Sequence, residues 1–208
     1  MANTQLGIFA KHWRPGHVKT RLAADVGDVT AAEIYRHFVK TLAIRFKAQA
    51  DQSLLSYWPP EAEDAFQQLS TGWQLTPQVE GDLGRKMQNY FQSAFQQGQQ
   101  RVILIGSDSP NLPVEMVQHA FEALNNTDVV LGPTRDGGFY LIGAREKCPD
   151  IFDGVSWSTP QVWESTLHNV QRVGCSLTAL NPWYDVDELK DLLQLQNGGP
   201  FELQMRVP

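Results

Sequence analysis

The chain has 208 residues, 42% of them apolar and 19% charged, with 17 Lys and Arg against 23 Asp and Glu and a formal net charge of −6. That length and apolar share suit one domain spanning residues 1–208 with a sizeable core. The acidic balance excludes a general nucleic-acid binder, which needs a broad basic surface. No apolar run approaches a membrane span, and Met1–Gln5 carries neither a basic nor an apolar leader pattern, so a soluble, cytoplasmic protein is expected.

Leu6–Ala10 reads as an interior strand. The loop after it reverses the sign of the chain: Lys11 to Leu22 holds four Lys or Arg and two His. A helix is expected to start near Val18–Arg21. Cations clustered at a helix start favour a small anion, because the first amides and the macrodipole point at it. Neither G-x-x-x-x-G-K-[ST] nor G-x-G-x-x-G is present, so this is not a P-loop or the usual dinucleotide fingerprint. Pro15-Gly16 supplies a tight turn, and Lys19-Thr20-Arg21 offers a point charge and a planar fork for phosphate oxygens. The alternative is a solvated surface loop.

Thr30-Ala31-Ala32-Glu33 has the form of a capping box opening a long amphipathic helix through Ile34, Phe38, Leu42 and Phe46. Ser53–Trp58 reads as a strand stopped by Pro59-Pro60. A helix is expected over Glu61–Leu69 and a short strand at Trp73–Leu75. Gly81-Asp82-Leu83-Gly84 leads into a helix carrying Met87, Tyr90, Phe91 and Phe95. Its glycines permit backbone to approach a base or sugar; the alternative is a loop before a capped helix.

Arg101–Gly106 is apolar beyond its first residue, as in a parallel strand covered on both faces. Asp108, at its carboxyl end, could hold Mg²⁺ or Mn²⁺ against phosphates or simply cap a helix. A helix from Pro113 to Leu124 follows, then strands Asp128–Pro133 and Phe139–Gly143. Asp136-Gly137-Gly138 between them is a good hairpin signal, and it could also admit a ligand to its backbone. Thr159-Pro160 opens a helix to Val173, Ser176–Leu180 is a late strand, and Asp187–Leu195 is the last strong helix before a turn-like Asn197–Pro200. In Asp185-Val186-Asp187 one carboxylate could bind metal while Asp187 caps that helix. Cys148 and Cys175 read as isolated core residues. His37, His119 and His168 read as surface or boundary positions on helices. The alternation predicts an α/β fold, a Rossmann-like three-layer α/β/α sandwich with a mostly parallel sheet and an antiparallel insertion in its second half. Ligands in such sheets sit at the carboxyl ends of the strands.

In order along the chain, these segments resemble the bacterial GT-A-fold nucleotide-diphospho-sugar transferase family, of the radical-SAM/selenodomain-associated type. The resemblance covers Ile8 to Leu192. It is carried by Ala10-Lys11 with Pro15–Ala23, Gln78–Gly84, Ile105–Pro110, Leu131–Pro133 with Asp136–Gly143, Trp157–Thr159, and Asp185–Asp187 with Asp191-Leu192. More distantly the chain is similar to nucleotidyltransferases such as phospholactate guanylyltransferase. The resemblance implies a GT-A nucleotide site with a divalent metal cofactor, Mg²⁺ or Mn²⁺. Lys11, Gly16, Lys19, Thr20 and Arg21 would bind phosphates. Gly81, Asp82 and Gly84 would lie near the base or ribose. Asp108, with Asp185 or Asp187, would hold the metal. Asp136, Gly137 and Gly138 would face the sugar or acceptor, with Lys19, Arg21, Asp108 and Asp136 as the catalytic set. The expected partners are a nucleotide or nucleotide-sugar donor and a small-molecule acceptor, with no nucleic acid and no membrane span. Two transfer chemistries share this architecture, glycosyl and nucleotidyl, and a nucleotide-binding sensor without turnover is the reading from another class. The chain departs from the family at Arg85-Lys86, where Glu-Arg is common, at the bulkier Trp13-Arg14, and in the start of the last helix, Glu188-Leu189-Lys190.

Overall fold

The computed structural model describes residues 3–145 and 150–197. Cys148 and residues 198–200 of the expected terminal turn lie outside them. Seven strands form one sheet: β1 (Thr4–Lys11), β2 (Gln52–Trp58), β3 (Gln74–Pro77), β4 (Arg101–Ile105), β5 (Val129–Pro133), β6 (Phe139–Arg145) and β7 (Leu177–Ala179). Their order is β3-β2-β1-β4-β6-β5-β7. β6 alone runs antiparallel, pairing with β4 and β5. It is the antiparallel insertion expected from the closeness of two apolar strands.

β4 shows why the sheet is covered twice. Successive strand residues point to opposite faces, and Ile103 and Ile105 enter one core while Val102 and Leu104 enter the other. The first core is closed by α1 (Thr20–Val26), α2 (Asp28–Phe46), α3 (Glu63–Gln67), α5 (Val114–Ala123) and α7 (Leu189–Asn197). The second is closed by α4 (Leu83–Gln96) and α6 (Val162–Arg172). This is the three-layer α/β/α sandwich. Cys175 packs at the margin of the second core.

Several boundaries differ from the sequence pattern for local reasons. Gly27, at φ 81°, turns the end of α1 straight into α2, so Thr30 lies inside the helix and has no end to cap. The expected helix over 61–69 is split into a 3₁₀ turn, Pro60–Ala62, and the five-residue α3. Pro113 is the N-cap of α5, with extended ψ of 137°, rather than a first-turn residue. α6 starts at Val162 rather than Thr159, and the Trp163 N–H in its first turn donates to the carbonyl of Gly137 at 2.8 Å.

β1 lies between β2 and β4. The chain proceeds outward from β1 to β2 and β3, then returns to β4 on the other side. Connections therefore diverge at the carboxyl ends of β1 and β4, the position where open α/β sheets hold ligands.

Candidate active site

A cavity of about 790 Å³ opens at this divergence. Lys11 ends β1 on its rim, Ile105 ends β4 and Gly106 to Asp108 follow it, and Phe139 begins β6. The basic loop contributes His17 to Arg21, and the loop before α4 contributes Asp82 and Leu83.

Lys19 occupies the centre of one wall. Its backbone is left-handed, φ 47° and ψ 44°, at the N-cap of α1. That turn sends the side chain inward, where it is 2% exposed. The ammonium contacts Asp108 Oδ1 and donates to Asp187 Oδ1 at 2.9 Å. The rings of Tyr35 and Phe38 lie 5.9 and 5.7 Å from it. Burial disfavours the charge on Lys19, but Asp108 and Asp187 outweigh burial and hold its pKa above the ordinary lysine value. Arg21, on the surface, reaches Asp187 Oδ2 at 3.8 Å.

The two carboxylates come from separate segments that the backbone ties together. The Val186 N–H donates to the Asp108 carbonyl at 2.9 Å, and Val186 is fully buried. Asp187 does not cap α7. Its own N–H and that of Glu188 are taken by the Asp191 carboxylate at 3.2 and 2.9 Å, which leaves the Asp187 carboxylate for Lys19 and Arg21. Asp185 turns away from the cavity and accepts from the Ser109 hydroxyl at 2.7 Å. Its burial and the charge of Asp108 push its pKa up, to about 7.

Tyr35 joins the ends of β1 and β4. Its hydroxyl accepts from the Lys11 N–H at 3.0 Å and is hydrogen-bonded to Ser107 Oγ at 2.6 Å. Burial, with Asp108 second, raises this phenol to about 12, so it stays neutral.

The opposite wall carries cations outside any ion pair. Lys86 lies 4.3 Å over the Trp58 ring, and burial together with the charge of Lys11 lowers its pKa. Among the described residues neither Lys11 nor Lys86 is in an ion pair. Gln78 donates to the Ser56 carbonyl at 3.0 Å and lines the same region. Phe9, Phe139 and Trp157 form its apolar surface.

Lys11, Lys19, Thr20, Arg21, Asp82, Asp108 and Asp187 thus converge on one cavity, as the family resemblance implied. Other expected residues stand off its walls. Gly16, at φ 78°, shapes the loop and faces Asp28. Gly84 approaches a side chain of this protein instead of a ligand: a Cβ there would lie 2.9 Å from the Trp157 indole. Gly81 adopts φ 126° before α4, and Asp82 caps that helix by accepting from the Arg85 N–H at 2.8 Å. Asp136 closes the β5–β6 hairpin, with its Oδ1 accepting from Thr134 Oγ1 at 2.5 Å and the Gly138 N–H at 3.2 Å. Gly137 needs its missing side chain because a Cβ there would meet the Pro160 carbonyl oxygen at 2.2 Å. The turn reading of Asp136–Gly138 therefore accounts for these residues, and their predicted contact with sugar or acceptor has no counterpart in the cavity lining.

Tyr35, Lys86 and Gln78 join the cavity without a local sequence signal of their own. Tyr35 lies within the apolar stripe of α2, where a tyrosine reads as core. Lys86 follows a helix start and reads as a solvated surface charge. Only pairing of distant strands brings them to the cavity.

Asp108 and Asp187 could hold a hard divalent ion. Mg²⁺ is commonly bound by one or two carboxylates plus substrate phosphates and water, and an internal cation already lies against both of these groups. Among the described residues no group of three or more ligating side chains is assembled, so phosphate oxygens and water would complete such a site. No described helix is long and apolar enough to cross a membrane.

The fold recurs in solved proteins. A protein from Desulfovibrio desulfuricans G20 described as a putative nucleotide-diphospho-sugar transferase is 37% identical, with 94% of this chain and 87% of that chain covered and a TM-score of 0.88. Rv0371c of Mycobacterium tuberculosis H37Rv, solved as a complex with manganese, is 16% identical over 94% of this chain and 99% of that one, TM-score 0.54. A CMP:2-keto-3-deoxy-manno-octonic acid synthetase complexed with CTP is 11% identical over 94% and 97%, TM-score 0.58. The last two show the shared fold. No curated protein matches the sequence. A family model described as an uncharacterized protein conserved in bacteria, DUF2064, matches residues 41–159, more than half of the chain. With that match and the 37% identical relative, the chain belongs to the DUF2064 family.

Proposed function

We propose that this protein is a transferase that takes a nucleotide-activated donor, a nucleotide-diphospho-sugar, into the cavity between β1 and β4 with Mg²⁺ or Mn²⁺ and passes the sugar to a small-molecule acceptor. One observation carries the reading. A single cavity at the divergence of the sheet joins a carboxylate pair to cations on both walls. The 37% identical relative described as a putative nucleotide-diphospho-sugar transferase supports it.

In this reading Arg21 and Lys11 take the diphosphate oxygens, Arg21 as a fork and Lys11 as a point charge. Thr20 adds a hydroxyl on the same side. Asp82 and Leu83 face the base or ribose, and Phe139 and Trp157 offer flat apolar surface to it. Tyr35 and Ser107 fix the spacing of the two strand ends. Held by Asp108 and Asp187, the metal would stabilise charge gathering on the leaving diphosphate.

Nucleotidyl transfer is the second reading, favoured by the two lysines without carboxylate partners, which suit the larger charge of a triphosphate. Incubating the protein with nucleotide sugars and nucleoside triphosphates plus Mg²⁺ or Mn²⁺ separates the two. Nucleoside diphosphate release supports glycosyl transfer, and pyrophosphate release supports nucleotidyl transfer. Binding without either product would favour a sensor. Asp108→Ala should fold and lose metal-dependent nucleotide binding by calorimetry; unchanged binding would remove Asp108 from the metal site.

A further inference from the structure

Lys19 is positioned as a cation belonging to the carboxylates rather than as a surface hand for a ligand. Its ammonium contacts both Asp108 and Asp187, it is 2% exposed, and two aromatic rings back it. The carboxylates themselves are 48% and 36% exposed, so an ion could reach them from the cavity.

We propose that the Lys19 ammonium and a divalent ion exclude one another at Asp108 and Asp187, and that the donor's phosphate draws Lys19 off. The inference rests on the donor reading above and adds an order of binding. A divalent ion lies about 2.1 Å from a carboxylate oxygen. An ammonium keeping its 2.9 Å bond to the same oxygen would then stand within about 5 Å of the ion. Two cations would compete for the same lone pairs and repel at short range. Lys19 also lines the cavity, so a phosphate there offers its ammonium another anion. Metal and donor consequently bind with positive coupling, and the metal site loads poorly while the cavity is empty. A merely structural Lys19 would leave that coupling the same after its replacement.

The test is Mn²⁺ binding to wild type, Lys19→Gln and Lys19→Met by calorimetry and by the electron paramagnetic resonance of free Mn²⁺, with and without UDP, GDP, CDP or ADP. Without nucleotide, Lys19→Gln should bind Mn²⁺ about tenfold or more tightly than wild type. A nucleoside diphosphate, once its own chelation of Mn²⁺ is subtracted, should tighten Mn²⁺ binding to wild type about tenfold more than to Lys19→Gln, where only the phosphate ligands couple the two. Equal or weaker Mn²⁺ binding by Lys19→Gln overturns the proposal, as does wild-type binding indifferent to every nucleotide. If both variants fail to fold by circular dichroism, the wild type is read directly. Its Lys19 side-chain NMR signal, assigned by its loss in Lys19→Arg, should move on adding Mg²⁺ with the nucleoside diphosphate. A signal that stays in place under saturating Mg²⁺ and nucleotide overturns the proposal. None of these readouts requires turnover, so failure of the transferase reading would appear separately, as absent product.

Discussion

The two walls of the cavity use lysine in opposite ways. On one, Lys19 is enclosed and spends its charge on Asp108 and Asp187. On the other, Lys11 and Lys86 are in no ion pair among the described residues, with Trp58 under Lys86. The contrast separates roles that residue type alone merges: one lysine organises the protein, and two remain available to an anion.

Removing Lys19 should break this comparison most severely. Lys19→Ala leaves two carboxylates facing each other without their cation. Losing one partner of a buried pair costs about 3–5 kcal/mol. Because Asp108 and Asp187 are partly exposed, the loss expected here is about 2–3 kcal/mol, read as a fall in the urea midpoint. A midpoint within error of wild type would place Lys19 with the available cations.

The double variant Lys11→Ala/Lys86→Ala sharpens the contrast from the other side. Its stability should move by no more than about 1 kcal/mol, the scale of the Lys86–Trp58 contact. Its affinity for a nucleoside diphosphate should fall about tenfold, a change of about 1.4 kcal/mol, and that for the bare nucleoside should hardly change. Equal losses for both ligands would remove these lysines from the phosphate region.

The smallest effect concerns His12, beside the cationic wall. Burial first and Arg14 second lower its pKa, against the pull of Glu61. Its Nδ1 is buried without a hydrogen-bond partner, and its ring stacks on Trp13 at 4.9 Å. A histidine whose folded pKa is depressed takes up a proton more readily when unfolded, so it contributes stability above its unfolded value near 6.5 that is lost as pH falls below it. Thermal melts at pH 7.5 and 5.5 should show a shallower decline for His12→Phe than for wild type. His37 is lowered for a similar reason, burial and then Arg36, and keeps the remaining slope.

Particular elements show what could be read from sequence. β4 was legible because Val102–Ile105 is apolar on both strand faces, which only a doubly covered strand permits. The first βα loop was legible as a candidate site because its charge opposes that of the chain, and its residues His17 to Arg21 line the cavity. Asp136-Gly137-Gly138 was ambiguous between turn and ligand contact, and hydrogen bonds to Thr134 and Gly138 favour the turn. The Thr30 capping box was misleading because its pattern contains nothing about the preceding helix, whose end at Gly27 left no room for a cap.

By itself the sequence determined the layered α/β fold, through hydrophobic periods of two and 3.6 residues, and the places where polar motifs follow strands. These depend on neighbours a few residues apart. Which charges meet was decided by the tertiary structure. Lys19 and Asp187 are separated by 168 positions, yet a 2.9 Å bond joins them. A left-handed turn aims Lys19 inward, and the Val186–Asp108 backbone bond brings the last segment to β4. Attraction between charges falls with distance through space, and distance along the chain does not report it.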